Sequence, residues 1–194
     1  STTYCGRKMV LTMGTTFHAA RSEPVKSVTV AAEQLPLEVG TDSAELPDLI
    51  RKILADEGLP PSRIGLAQAE SGLNSPALSS KGARGIWQLL PDPARTFGLA
   101  VDSRRDDRID PIRSTIAAAR YLRLLCARWG DWDLAFAAYN AGAGAVERAL
   151  AGGDSWPSLF ERRLPAETRD YVPKVWREIY RGDPASLSNQ ETGQ

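Results

Sequence analysis

One acidic residue stands alone in a stretch of the sequence that is poor in charge. Glu70 is the only carboxylate between Glu57 and Asp92, and its near neighbours in the chain include Leu66 and Leu73. Apolar surroundings disfavour the charged form of a carboxyl group and raise its pKa, so such a glutamic acid can stay protonated near neutrality and donate a proton to a leaving oxygen. A solvated glutamate at a helix end is the alternative, and it is favoured for this residue taken by itself.

The residues after Glu70 predict that it lies where a helix ends. Gly72 is a natural C-terminal stop for a helix. Residues 73–85 are rich in Asn, Ser, Pro, Lys and Gly, which predicts a polar loop. Within it, Gly82 and Gly85 suit backbone that takes a positive φ or lies close to a ligand.

The chain from Leu46 onward carries helical periodicity and helix stop signals. A first helix is predicted from Leu46 to Gly58, and Pro61 suits the first turn of the next one. The clearest pattern opens at Asp110-Pro111 and ends at Gly130. Further helices are predicted over Trp132–Tyr139, Ala143–Ala151 and Ala166–Arg181, the last with Pro173 inside it.

The first 45 residues differ from the rest. They hold one alternating stretch, Val25–Val30, and the only histidine, His18. We therefore expect a mainly α protein with a short irregular or β-containing N-terminal extension over residues 1–45. A helical domain is expected over residues 46–182, and a C-terminal tail over residues 183–194.

Charge and hydropathy exclude some classes of partner. Lysine plus arginine equals aspartate plus glutamate at 24 each, so no global field attracts nucleic acid or an anionic membrane. No run approaches the length of apolar sequence that a membrane span needs, so no transmembrane segment is expected. Residues 1–7 lack the order of a secretory signal, which has either been removed or never existed.

The cysteine count gives a weak signal. Cys5 and Cys126 are the only cysteines, and their separation fits neither a disulfide framework nor a zinc motif. Two unpaired thiols are the favoured interpretation, and a disulfide in an oxidising compartment is the alternative. No metal site is predicted.

Three ordered motifs carry a resemblance to a known family. Glu70-Ser is followed in register by Ala77, Ser79 and then Gly-Ala-x-Gly-Ile-Trp-Gln, which ends at Gln88. This segment resembles the first motif of soluble lytic transglycosylase (SLT) domains. The second block, Ala-Tyr-Asn-Ala-Gly from position 138, and the third, Glu-Thr-Arg-x-Tyr-Val from position 167, are similar to that family's later motifs. The resemblance looks nearest to the membrane-bound type D subgroup.

The resemblance implies a lysozyme-like helical fold and one activity. Such a domain cleaves the β-1,4 bond between N-acetylmuramic acid and N-acetylglucosamine in peptidoglycan and leaves a 1,6-anhydro end. It implies Glu70 as the catalytic acid and base in turn, with no cofactor. It also implies peptidoglycan glycan strands as the partner, residence in the bacterial cell envelope, periplasmic or exported, and a monomer.

The resemblance also implies supporting residues. Ser79 and Tyr139 are expected to orient Glu70 or the substrate acetamide, and Asn140 and Gln88 to contact sugar amides and hydroxyls. Each has a structural alternative, since a tyrosine is often a core aromatic and an asparagine before Ala-Gly suits a helix end. The expected substrate-binding set is Ser79, Gln88, Tyr139, Asn140, Glu167 and Tyr171. Trp87 is expected in the core rather than against a sugar.

Two other functions stay open at this point. A hydrolytic lysozyme on the same fold would produce a reducing sugar, and a non-catalytic peptidoglycan-binding protein would keep only the cleft. A serine hydrolase in its usual form is excluded, because no histidine follows His18.

Overall fold

The computed structural model describes residues 45–152 and 163–182. Within these ranges the chain forms seven α-helices and two short 3-10 turns, at Pro61–Arg63 and Asp107–Ile109. The α-helices are α1 (Leu46–Asp56), α2 (Ile64–Ser71), α3 (Pro91–Thr96), α4 (Pro111–Trp129), α5 (Trp132–Ala141), α6 (Ala143–Leu150) and α7 (Ala166–Gly182). The described part contains isolated β-bridges but no strand, so the expectation of a mainly α protein is confirmed.

The helix ends follow the local signals in the sequence. The Asp110 side chain accepts hydrogen bonds from the backbone of the first turn of α4, and Gly130 takes a left-handed conformation at the other end. α2 ends at Ser71, and Gly72 is likewise left-handed. α7 continues through Pro173. The helix α3, which opens with two prolines in its first turn, is the one element that periodicity did not predict.

Helix α5 is the centre of the core. Its alanine-rich face and Phe136 are almost fully buried, and it packs against α4, α6 and α7. Small side chains let neighbouring helices approach closely, while the ring of Phe136 fills the remaining volume. Trp87 is fully buried and donates from its indole nitrogen to Thr115 Oγ1 at 2.9 Å, so its predicted place in the core is confirmed.

The tightest helix pair is α2 with α7, and a glycine makes it possible. A Cβ on Gly65 would lie 2.5 Å from the backbone nitrogen of Ile179, so a larger residue at this position would separate the two helices. The close approach brings α7 against the end of α2 that carries Glu70.

The loop between α2 and α3 is fixed by a buried arginine. Arg108 donates to the carbonyl oxygens of Gly82 and Leu89 at 2.8 and 3.1 Å, and it forms an ion pair with Asp106. Gly85 lies directly against the Arg108 carbonyl oxygen. A polar segment with little secondary structure of its own therefore has a defined conformation.

The described residues include one of the two cysteines, Cys126. Cys126 is buried in α4 and disulfide-bonded, so the favoured interpretation of two unpaired thiols is wrong. Cys5, His18 and the stretch Val25–Val30 lie outside the described residues. Among the helices of residues 45–152 and 163–182, none is long and apolar enough to cross a membrane.

Substitution of Gly85 by alanine is expected to destabilise the protein strongly. Its φ is +81°, and a new Cβ would lie 1.8 Å from the Arg108 carbonyl oxygen, so the backbone has to move. We expect a loss of about 3 kcal/mol or more in the free energy of unfolding, measured by urea denaturation.

Gly82→Ala is the matched control. Gly82 has a φ of +80° but open space where the Cβ would be added. The left-handed conformation alone costs about 1 kcal/mol. Equal losses in the free energy of unfolding of the two variants would contradict the assigned role of the close contact between Gly85 and the Arg108 carbonyl oxygen.

Candidate active site

An open cleft of about 430 Å³ runs past the end of α2. It is bounded by the loop between α2 and α3, by α5 and by the start of α7. Of the seven site residues expected from the sequence, six line this cleft: Glu70, Ser79, Gln88, Tyr139, Asn140 and Glu167. Residues more than 90 positions apart in the chain are thus brought to one surface.

The carboxyl group of Glu70 lies in the last turn of α2, largely removed from solvent. Burial raises the pKa of this group from 4.5 to about 7. A hydrogen bond from Tyr171 and the charge of Lys174 act in the opposite direction, whereas the carboxylate of Glu167 adds to the increase. A substantial fraction of Glu70 is therefore protonated at neutral pH, as a general acid requires.

Tyr171 on α7 fixes the orientation of the Glu70 carboxyl. Its phenol oxygen donates to Glu70 Oε1 at 2.5 Å. Tyr171 is buried, and its pKa is raised well above the usual range by that burial first and by the neighbouring Glu70 second. The phenol therefore stays protonated and remains a donor at neutral pH.

Lys174 holds the backbone beside Glu70. Its Nζ donates to the carbonyl oxygen of Ala69 at 2.5 Å, one turn of α7 beyond Tyr171. Carbonyl groups in the last turn of a helix have no partner within the helix, and a cation there is favourable. α7 thus contacts both the side chain of Glu70 and the helix end that carries it.

Two aromatic side chains, Tyr121 and Tyr139, line another wall of the cleft. Phe97, Tyr121 and Tyr139 follow one another with ring centroids 5.3 Å apart in each pair. The Tyr139 hydroxyl donates to the Trp87 carbonyl oxygen at 2.8 Å. Tyr171, rather than Tyr139, therefore has the hydrogen bond to Glu70 in this structure.

Ser79 and Gln88 shape the loop that faces Glu70. The Ser79 hydroxyl oxygen accepts from the Ala83 backbone at 3.0 Å. Gln88 has a φ of +47°, which is unusual for a residue with a side chain, and its Nε2 donates to the Gly85 carbonyl oxygen at 2.8 Å. Both side chains line the cleft while they stabilise the turn that contains them.

Asn140, Glu167 and Lys81 form a polar group at the mouth of the cleft. Lys81 Nζ lies 2.9 Å from a carboxylate oxygen of Glu167, and both side chains are exposed. The pKa of Glu167 is lowered, chiefly by its hydrogen bond and charge interaction with Lys81 and also by a hydrogen bond from Asn140. Glu167 is thus an ionised carboxylate, unlike Glu70.

Sequence reasoning missed three residues of this site. Lys81 lies in the first motif but carries no chemical signal there, and Tyr121 is one aromatic residue among the apolar positions of α4. Lys174 lies two positions after the third motif, and its spacing of three from Tyr171 was the available signal, because residues three apart share a helix face. Within the described residues, no cluster of acidic, histidine or cysteine side chains fits a metal ion.

Replacement of Glu70 by glutamine is expected to change the pH dependence of stability. The folded protein binds the Glu70 proton more tightly than the unfolded chain does, so the wild type loses stability as the pH rises from about 4.5 to about 7. The Glu70→Gln variant has no ionisable group at this position, so it does not lose stability in this way as the pH rises. Thermal or urea unfolding should give similar stability at pH 4 and a more stable variant at pH 8, by up to about 3 kcal/mol.

Asp92→Asn serves as the control, because the Asp92 side chain is 95% exposed. A difference between Glu70→Gln and wild type that stays constant from pH 4 to pH 8 would mean that burial does not raise the pKa of Glu70.

Comparison with known proteins gives a consistent result. The profile of the family described as the transglycosylase SLT domain matches residues 48–155, more than half of the chain. Membrane-bound lytic murein transglycosylase D of Escherichia coli is 38% identical over 122 residues, which cover 60% of this chain and 27% of that protein. Soluble lytic murein transglycosylase of Escherichia coli is 28% identical over 162 residues, which cover 76% of this chain and 25% of that protein. The chain thus spans about a quarter of the length of these curated relatives.

The fold comparison agrees. The crystal structure of the 70-kDa soluble lytic transglycosylase from Escherichia coli superposes with a TM-score of 0.59 at 28% sequence identity. The match covers 68% of this chain and 23% of that one. The expected lysozyme-like helical fold is confirmed, and so is the resemblance to the type D subgroup. The chain belongs to the transglycosylase SLT domain family.

Proposed function

We propose that this protein is a peptidoglycan lytic transglycosylase with Glu70 as its catalytic acid and base. The observation that carries the proposal is the half-buried carboxyl of Glu70, with its pKa raised to about 7, at the side of an open cleft. Membership of the SLT family and relatives named lytic murein transglycosylases support the reaction class. Residues 46–182 are proposed as the catalytic unit.

The proposed reaction uses Glu70 twice. The protonated carboxyl gives its proton to the glycosidic oxygen as the bond from C1 of N-acetylmuramic acid breaks. The resulting carboxylate then takes the proton of the C6 hydroxyl as that oxygen bonds to C1, which closes the 1,6-anhydro ring. Glu70 ends protonated, no water is consumed, and the acetamide of the substrate assists at C1 in place of a second carboxylate.

The other cleft residues have roles that follow from their contacts. Tyr171 orients the Glu70 carboxyl, and Ser79 and Gln88 hold the loop and contact the glycan. Tyr139 provides part of an aromatic wall against which a sugar ring packs. Asn140 and Glu167 bind polar groups of the substrate at the mouth of the cleft.

A hydrolytic muramidase is the second candidate, and one observation favours it. Glu167 is an ionised carboxylate that lines the same cleft, and inverting glycosidases use such a group to activate water. Its ion pair with Lys81 and the exposure of 65% of its side chain weigh against that role. The products distinguish the two reactions.

The place of action follows from the substrate. We propose the bacterial cell envelope, periplasmic or exported, since peptidoglycan lies there. We also propose a monomer, as the resemblance to SLT domains implies.

The test of the function is the mass of muropeptides released from purified sacculi. Anhydro products, lighter than hydrolytic ones by one water, are expected from the wild type. Glu70→Gln should reduce their release on the order of a thousandfold, equivalent to about 4 kcal/mol of activation free energy. Glu167→Gln is expected to retain the anhydro product.

Each other result has a defined meaning. Reducing-end products that depend on Glu167 would establish the muramidase instead. Binding of sacculi without any release would identify a peptidoglycan-binding protein. Activity of Glu70→Gln within a few fold of wild type would remove Glu70 from the mechanism.

The pH profile gives a separate test of the protonated acid. Activity should fall above about pH 7, where Glu70 loses its proton. Tyr171→Phe removes a hydrogen bond that lowers the pKa of Glu70, so the alkaline limb should move to higher pH while the maximal rate falls. A lower rate with an unmoved limb would mean that Tyr171 acts only through packing.

A further inference from the structure

The hydroxyl group of Thr168 is buried beneath the cleft and contacts one of its polar residues. Thr168 lies in the first turn of α7 and is 1% exposed. Its Oγ1 is 2.8 Å from Oδ1 of Asn140, at the end of α5. The Thr168 hydroxyl donates to this oxygen, so the N–H groups of the Asn140 amide lie on the side away from Thr168.

The carboxylate of Glu167 favours the same orientation. An ionised carboxylate can only accept hydrogen bonds, and Glu167 is held ionised by Lys81. Its position beside the Asn140 amide therefore favours Nδ2 on the side of Glu167, in agreement with Oδ1 towards Thr168. The assignment follows from the chemistry of the two partners and does not depend on telling nitrogen from oxygen in the side-chain amide.

This orientation leaves Asn140 with one unused group. A side-chain amide has two N–H donors and one carbonyl acceptor. The carbonyl oxygen is bound by Thr168, and one N–H is bound by Glu167. Because Asn140 lines the cleft, the group that remains for a ligand is the second N–H.

We propose that Thr168 is a positioning residue that holds the Asn140 amide as a donor, so that this part of the cleft selects a hydrogen-bond acceptor of the glycan. The inference rests on the proposed function for the identity of the ligand. A neutral carbonyl oxygen, such as that of an N-acetyl group, fits best, because the carboxylate of Glu167 beside it disfavours an anion. A neutral N–H group of the substrate would face a donor there and be left without a hydrogen-bond partner.

Thr168→Val tests the proposal, since valine has the shape of threonine without its hydroxyl. Binding is measured by calorimetry in the Glu70→Gln background, with an N-acetylglucosamine oligosaccharide as the probe. We expect about tenfold weaker binding with Thr168→Val, because the Asn140 amide is then free to turn. Thr168→Ser restores the hydroxyl and should bind within about twofold of the parent.

Thr96→Val is the control. Thr96 also donates through its hydroxyl group, to the Asp92 carbonyl oxygen on α3, but it does not line this cleft. Its substitution should leave oligosaccharide binding unchanged. Equal losses in the Thr96 and Thr168 variants, or a failure of Thr168→Ser to restore binding, would overturn the proposal.

A second measurement is independent of any ligand. The side-chain amide of Asn140 gives proton–nitrogen NMR signals that can be identified by their loss in Asn140→Asp. Thr168→Val should shift these signals and accelerate their exchange with solvent, and Thr168→Ser should not. Unchanged signals in Thr168→Val would overturn the positioning role even if sacculi are cleaved. Shifted signals in a protein that releases no muropeptides would overturn the proposed function and leave the positioning role supported.

Discussion

The site depends on keeping one carboxyl group away from water without leaving it unpartnered. Glu70 lies at the end of α2, where burial raises its pKa to about 7, and a bare charge there would be costly. Helix α7 supplies two hydrogen-bond donors there. Tyr171 donates to the carboxyl group, and Lys174 donates to the adjacent backbone carbonyl oxygen. Both contacts require α7 to lie very close to α2, and Gly65 provides that closeness.

The loop between α2 and α3 forms the opposite side of the cleft. The loop after α2 contains no helix, and its conformation is fixed by backbone hydrogen bonds within it and by Arg108, which binds two of its carbonyl oxygens. Gly85 fits against the backbone of the same arginine, and Gln88 closes the turn with its side chain. A loop fixed in this way can present polar groups to a ligand at little cost in entropy on binding.

The cleft has two chemically distinct walls. One carries the rings of Tyr121 and Tyr139, whose centroids are 5.3 Å apart. The other is a chain of hydrogen bonds in which Asn140 and Glu167 have defined donor and acceptor roles. The combination fits the glycan ligand of the proposed function, which has both apolar ring faces and polar groups.

The sequence by itself determined the helices and the candidate acid. Periodicity, an aspartate before Pro111 and a glycine after Trp129 place α4 correctly, because caps and apolar faces are local properties. The motifs likewise identified Glu70 and most of the residues around its cleft. Only the tertiary structure decided that the buried phenol of Tyr171 binds Glu70, because it is 101 positions away and no local pattern encodes the packing of α7 on α2. The tertiary structure also determines the raised pKa of Glu70, because every element around the carboxyl group contributes to its desolvation.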